Sequence, residues 1–137
     1  MALTHLADTS VLTRIAKPPV RAVVAPLLLV AALARTSISD LEIGYSARNG
    51  AEWDRLAGAL NALPLIDVDE HHFRRARQVQ RLLADQGLKG RKVPDLLVAA
   101  AAEQRGLTVL HYDADFDHIA DVTGQPTQWV VPPGHID

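Results

Sequence analysis

The sequence predicts an α/β protein, a three-layer α/β/α sandwich around a mainly parallel central sheet. Three observations point there. Short strand-like apolar segments alternate with helical ones along the whole chain. The junctions carry capping residues, prolines or glycines. Residues 96–102 form an unbroken apolar run on a helix, which must lie inside. The chain has 137 residues, nearly half of them apolar, enough for one core, and one domain over residues 1–137 is expected.

Leu3 to Ala7 reads as a first strand, ended by Asp8, which caps a helix through Ala16. Pro18-Pro19 interrupts the chain, and a helix from Val20 to Leu33 follows, with Pro26 as a kink or boundary. Thr36-Ser37-Ile38 is a short strand, after which Ser39 or Asp40 caps a helix carrying Glu42. Asn49-Gly50 stops it, and Ala51 to Leu63 forms another helix. Pro64 to Val68 is a strand. Asp69 to Gln86 is an amphipathic helix with Phe73, Ala76, Val79 and Leu83 at helical spacing. Its neighbouring histidines, His71 and His72, point in different directions on a helix and are expected at the surface. Pro94 opens a helix through Gln104, since proline suits the first turn. Leu107 to Tyr112 is a strand, Ala114 to Val122 a short helix, and Gln128 to Val131 a last strand.

Composition excludes several functions. There is no cysteine, hence no disulfide, thiolate zinc site or cysteine nucleophile. The net charge of -2 gives no global attraction to nucleic acid, yet seven of the fourteen Lys and Arg fall between Arg74 and Lys92. The longest apolar stretch, thirteen residues from Ala22 to Ala34, is bracketed by Arg21 and Arg35 and contains Pro26. It is short for a bilayer span and reads as a buried helix. No secretory signal is evident at the start, and a cytoplasmic location without membrane attachment is expected.

Four acids stand where apolar segments end or helices begin: Asp8, Glu42, Asp95 and Asp113. Ligands of open α/β sheets bind beyond the carboxyl ends of the strands, where these residues can converge. Each has a plain alternative, as helix cap, dipole partner, solvated helix residue or polar turn. All four alternatives must hold together, however, and a carboxylate against a core needs a partner. A shared hard divalent cation, Mg²⁺ or Mn²⁺ before Zn²⁺, is the simplest one. The run Asp113-Ala114-Asp115-Phe116-Asp117 is not an EF-hand loop, because His118 and Gly124 stand at the glycine and glutamate positions. Nor does it suit a DxDx[TV] phosphotransferase motif, where Asp117 would hold the Thr/Val place.

The ordered set Leu6-Ala7-Asp8-Thr9-Ser10, Asp40-Leu41-Glu42, Val93-Pro94-Asp95-Leu96-Leu97 and Leu110-His111-Tyr112-Asp113-Ala114-Asp115-Phe116 resembles PIN domains, and more closely the VapC toxins of VapBC toxin–antitoxin pairs. The resemblance covers essentially the whole chain. It implies a Mg²⁺- or Mn²⁺-dependent endoribonuclease cutting single-stranded or loop RNA. It also implies a homodimer and a cognate VapB-type antitoxin whose tail occupies the active-site groove, giving a heterotetramer or larger complex. Carried over by position, Asp8, Glu42, Asp95 and Asp113 form the acidic quartet, with Asp115 as a further ligand. Asp8, Asp95, Asp113 and Asp115 would bind metal, and Glu42 would hold water beside it. His111 departs from the Thr or Ser that many relatives carry there. Arg74, Arg77 and Arg81, with Lys89, Arg91 and Lys92, are the expected RNA contacts, Arg91 and Lys92 foremost. Two other functions fit less well: a PIN nuclease of RNA processing or DNA without an antitoxin, and a catalytically silent antitoxin-binding co-repressor. The complete acid set disfavours the latter.

Overall fold

The computed structural model describes residues 2–88 and 92–137; the expected contacts Lys89 and Arg91 lie outside them. Five strands form one parallel sheet in the order β3-β2-β1-β4-β5. They are β1 (His5–Ala7), β2 (Leu33–Thr36), β3 (Leu65–Ile66), β4 (Thr108–His111) and β5 (Thr127–Trp129). Among the described residues seven helices connect them: α1 (Thr9–Leu12), α2 (Pro18–Leu29), α3 (Ser37–Tyr45), α4 (Gly50–Leu60), α5 (Glu70–Asp85), α6 (Val93–Arg105) and α7 (Asp115–Thr123). The mainly parallel sheet expected from the sequence is parallel throughout. All strand carboxyl ends therefore lie at one edge, and β1 and β4 are neighbours at its centre, with Leu6 opposite Val109 and Ala7 opposite Leu110.

Two cores sandwich the sheet. One gathers Ala76, Val79 and Leu83 of α5, Leu96 to Ala99 with Ala101 and Ala102 of α6, and Phe116 and Ile119 of α7. The other joins Val11, Val20 and Val24 to Leu33, Leu110 and Val130. Helix α6 explains the expected burial: Asp95 to Ala102 are all buried, Pro94 sits in its first turn, and Gly106 ends it at φ 67°. Arg75 of α5 clasps Glu103 of α6 through two hydrogen bonds of 2.7 and 3.1 Å, tying the two helices together.

Some expectations need correction. The apolar stretch from Ala22 to Ala34 is not one buried helix. Helix α2 runs through Pro26 to Leu29, which is 87% exposed, and Ala31 at φ 53° turns the chain into β2. Strand β2 thus starts three residues before the expected Thr36. An apolar run does not distinguish a helix from a strand buried on both faces. On α5 the buried stripe is His72, Ala76, Val79 and Leu83, while Phe73 is half exposed. His72 is buried because its ring holds the start of α5 in place. Its Nδ1 accepts the backbone N–H of Asp69 and completes a capping box, and its Nε2 lies 2.5 Å from Gln104 Oε1.

Candidate active site

Asp8 follows β1 and caps α1, and its backbone N–H donates to Leu110 O of β4 at 2.9 Å. One carboxylate oxygen, Oδ2, accepts from Ser10 N at 3.0 Å and Ser10 Oγ at 2.6 Å. That grip fixes the carboxylate and leaves Oδ1 for other partners. Burial raises the Asp8 pKa most, the Ser10 bonds lower it, and the charges of Glu42 and Asp113 raise it again, so the net displacement is upward.

Asp95 occupies the first turn of α6 and is 5% exposed. Its Oδ2 has no hydrogen-bond partner among the described residues. Burial is the main cause pushing its pKa up to about 8, followed by the charges of Asp8 and Asp113, with Lys92 pulling it down. Asp113, just past β4, accepts from Asp115 N at 2.9 Å and from Lys92 Nζ at 2.5 Å. Burial acts upward most strongly on Asp113, but these two bonds, the Lys92 charge and the hydrogen bond from Asp95 together hold its pKa below the ordinary value. Asp95 therefore keeps the proton and Asp113 stays ionised, as expected when two carboxyls share a site.

One carboxylate oxygen each from Asp95, Asp113 and Asp115 lies within 4.8 Å of the others. A single divalent ion with oxygen ligands at about 2.0–2.6 Å can bridge that spacing. The unsatisfied Asp95 oxygen and the all-oxygen donor set both fit a hard cation such as Mg²⁺ or Mn²⁺. Asp8 stands beside this trio, near enough for its charge to act on Asp95. The Lys92 ammonium reaches in among these acids, 2.5 Å from Asp113 Oδ2 and 3.7 Å from Asp95 Oδ2. Lys92, expected as an RNA contact, is thus engaged with the acids, and its pKa is raised chiefly by the Asp113 hydrogen bond.

Glu42 reaches the group by a different route. It belongs to the second turn of α3, not the first, because Thr36 rather than Ser39 or Asp40 caps that helix. Thr9 Oγ1 donates to Glu42 Oε1 at 2.7 Å and sits 2.8 Å from Ser39 Oγ. Since the single Thr9 hydroxyl proton goes to Glu42, Ser39 is the donor to Thr9. The resulting chain, Ser39 to Thr9 to Glu42, holds the carboxylate beside Asp8, whose pKa feels its charge.

Sequence reasoning treats Thr9 and Ser10 only as neighbours of a cap and so misses their part in the site. Two hydroxyls directly after an acid at a strand end are the signal that could have found them. His111 is fully buried, its Nδ1 accepting Asp113 N at 3.2 Å, its ring 4.9 Å from Phe116 and 5.0 Å from Trp129. Burial chiefly drives its pKa down to about 4, so it is a neutral prop for the Asp113 turn. Arg74, Arg77 and Arg81 do share an exposed face of α5, along a shallow depression with Gln78 and Gln80. Arg74 pairs with Glu70 at 3.5 Å and Arg81 with Asp85 at 3.1 Å.

Comparison with known proteins identifies the family. The PIN domain family model matches residues 6–122. Ribonuclease VapC51 of Mycobacterium tuberculosis is 61% identical over 137 residues, covering 100% of both chains. Ribonuclease VapC21 of the same species is 42% identical, covering 98% of this chain and 99% of its own. Among solved structures, DNA-bound VapBC from Salmonella typhimurium superimposes with a TM-score of 0.76 at 20% identity, over 94% of this chain and 99% of the other. FitAcB from Neisseria gonorrhoeae gives 0.72 at 23% identity, over 93% and 98%. With the family model spanning most of its length and a full-length relative so similar, the chain belongs to the PIN-domain family and, within it, to the VapC proteins.

Proposed function

We propose that this protein is a Mg²⁺- or Mn²⁺-dependent endoribonuclease toxin, one PIN domain over residues 1–137, acting on single-stranded or loop RNA in the cytoplasm. The observation that carries the reading is the buried Asp95, with one oxygen lacking a hydrogen-bond partner among the described residues, grouped with Asp113 and Asp115 in a chain with a ribonuclease as its full-length relative. Asp95, Asp113, Asp115 and the free oxygen of Asp8 are the groups that would hold the ion. When bound, it supplies charge neutralisation at the phosphodiester and a lowered water pKa. Ser10 and Thr9 keep Asp8 and Glu42 in place, and Glu42 orients water at the rim. Lys92 is free to meet the incoming phosphate once the carboxylates no longer require its charge.

The solved fold relatives include VapBC from Salmonella typhimurium and a toxin–antitoxin complex from Klebsiella pneumoniae, which supports a VapB-type antitoxin as partner. A homodimer and its larger assembly with antitoxin are part of the same proposal. Among the described residues no helix is long and apolar enough to cross a membrane. An apolar groove of about 280 Å³, lined by Leu12, Ile15, Leu28, Ile43, Leu56 and Leu60, lies where α1 to α4 meet.

The test is incubation of the purified, partner-free protein with a circular RNA, with Mn²⁺ or Mg²⁺ and with EDTA. Opening of the circle with metal and none with EDTA is expected; an intact circle across tRNA, ribosomal-loop and mRNA sequences contradicts the proposal. Thr9→Val removes the hydroxyl that holds Glu42. Its cleavage rate is expected to fall about tenfold or more, the usual effect of losing a hydrogen bond that orients a site carboxylate. Initial rates beside a melting curve check that the loss is not unfolding.

A further inference from the structure

Ser10, which grips Asp8 through its hydroxyl, also meets a basic group that the acid site does not use. Arg14 Nη1 donates to Ser10 O at 2.7 Å, and its guanidinium rests over the Tyr112 ring, 5.0 Å from the centroid. Its Nε is buried and has no hydrogen-bond partner among the described residues. The Asp137 carboxylate stands just beyond hydrogen-bond length, 3.6 Å from this Nε and 3.4 Å from Lys17 Nζ. A guanidinium stacked on an aromatic, with an ammonium beside it and an N–H left unmet, is a binding pattern for an anion with several oxygens.

Asp137 is not needed to hold its own segment down. Tyr112 Oη donates to Ile136 O at 2.6 Å and accepts from Gly134 N at 3.0 Å, while Ile136 packs against the second core. The Asp137 side chain is 58% exposed, and its two ion pairs are of the weak surface kind. The same Ser10 whose carbonyl accepts from Arg14 grips Asp8 through its hydroxyl and accepts Tyr112 N at 2.9 Å. The basic pair and the acid site are therefore built on shared residues, one against Asp8 and the other against the chain leading into Asp113.

We propose that Arg14 and Lys17 form a subsite for a backbone phosphate of the RNA strand, and that Asp137 occupies it as an internal anionic stand-in which the strand displaces. The proposal rests on the ribonuclease reading for the identity of the strand. It adds a second point of attachment beside the acids. It also makes the last described segment a mild competitor of substrate.

The experiment uses the full chain, with a labelled single-stranded oligoribonucleotide followed by fluorescence anisotropy in EDTA across a salt series, and by cleavage kinetics with Mn²⁺. Asp137→Asn is expected to tighten binding about two- to fivefold and to lower KM with kcat unchanged, the scale of a lost exposed ion pair. Lys17→Gln and Arg14→Gln are each expected to weaken binding and to reduce the slope of log K against log salt by about 0.7. Lys17→Gln guards against misfolding of the Arg14 variant, because Lys17 makes no other side-chain bond among the described residues. Unchanged affinity, KM and salt slope in both Lys17→Gln and Asp137→Asn overturn the subsite. Wild-type protein that binds this RNA without cutting it, and leaves the circular RNAs intact as well, removes the nuclease reading and leaves the subsite judged on binding; protein that binds none of these RNAs removes both.

Discussion

Asp95→Asn is expected to lower RNA cleavage on the order of a thousandfold, the scale of removing a charged group that acts at the reacting phosphate. The same change is expected to stabilise the metal-free protein at pH 8. Wild-type Asp95 is buried among Asp8, Asp113 and Asp115, and these neighbours with burial lift its pKa to about 8. Near that pH a substantial share of the folded molecules must carry an additional negative charge with an unsatisfied oxygen. Asparagine is neutral, nearly isosteric, and its amide can donate to Asp113 as the protonated carboxyl does. Melting curves in EDTA at pH 5 and pH 8, beside cleavage assays with Mn²⁺, check both halves. At pH 5, closer to the unfolded value of 3.8, the advantage of Asp95→Asn should be smaller than at pH 8. An Asp95→Asn variant less stable than wild type at pH 8 contradicts the electrostatic account.

Metal-free wild-type protein is expected to lose stability as the pH rises from about 6.5 to 8.5, and to recover it with Mn²⁺. The folded state holds the Asp95 proton up to about 8, whereas the unfolded chain releases it near 3.8. The raised pKa therefore contributes stability that is complete below the unfolded value and is lost as pH climbs through the folded one. The upward shift of Asp8 acts in the same sense. His111 acts oppositely: its folded pKa of about 4 lies below the unfolded 6.5, so its burial penalises folding at acid pH and ceases to do so above 6.5. Asp113, shifted downward, loses its contribution only on the acid side. Above pH 6.5 the rising carboxylates consequently dominate. Because a cation displaces the retained proton, its stabilising effect should grow with pH across the same window. A Tm in EDTA that is flat across this window, with a Mn²⁺ increment that does not grow, contradicts this.

Much of the site was legible because its geometry is local to element ends. Asp8 and Asp113 are marked by where apolar segments stop and Asp95 by where a helix begins, and a parallel sheet brings strand ends to one edge. The burial of α6 was legible from the unbroken run Leu96 to Ala102. What escaped depended on partners distant in sequence. Nothing local to Thr9 announces a bond to Glu42 thirty-three residues away, and nothing local to Ser10 announces Tyr112 N. His72 looked like a surface residue because histidine tolerates either environment; the capping box with Asp69 and the contact to Gln104 decide its place. Strand β2 was shifted because Leu33 to Thr36 continues the apolar composition of α2, and the turn at Ala31 has no glycine to mark it.

The measurement that tests the central claim most directly is calorimetric titration of Mn²⁺ into the metal-free protein at about pH 7.5, for wild type, Asp95→Asn and Asp113→Asn. Saturable binding by wild type, accompanied by proton release and abolished or greatly weakened in both variants, is the predicted result. Binding of equal strength in all three proteins, or none in folded wild type, would contradict a carboxylate-held cation at Asp95, Asp113 and Asp115.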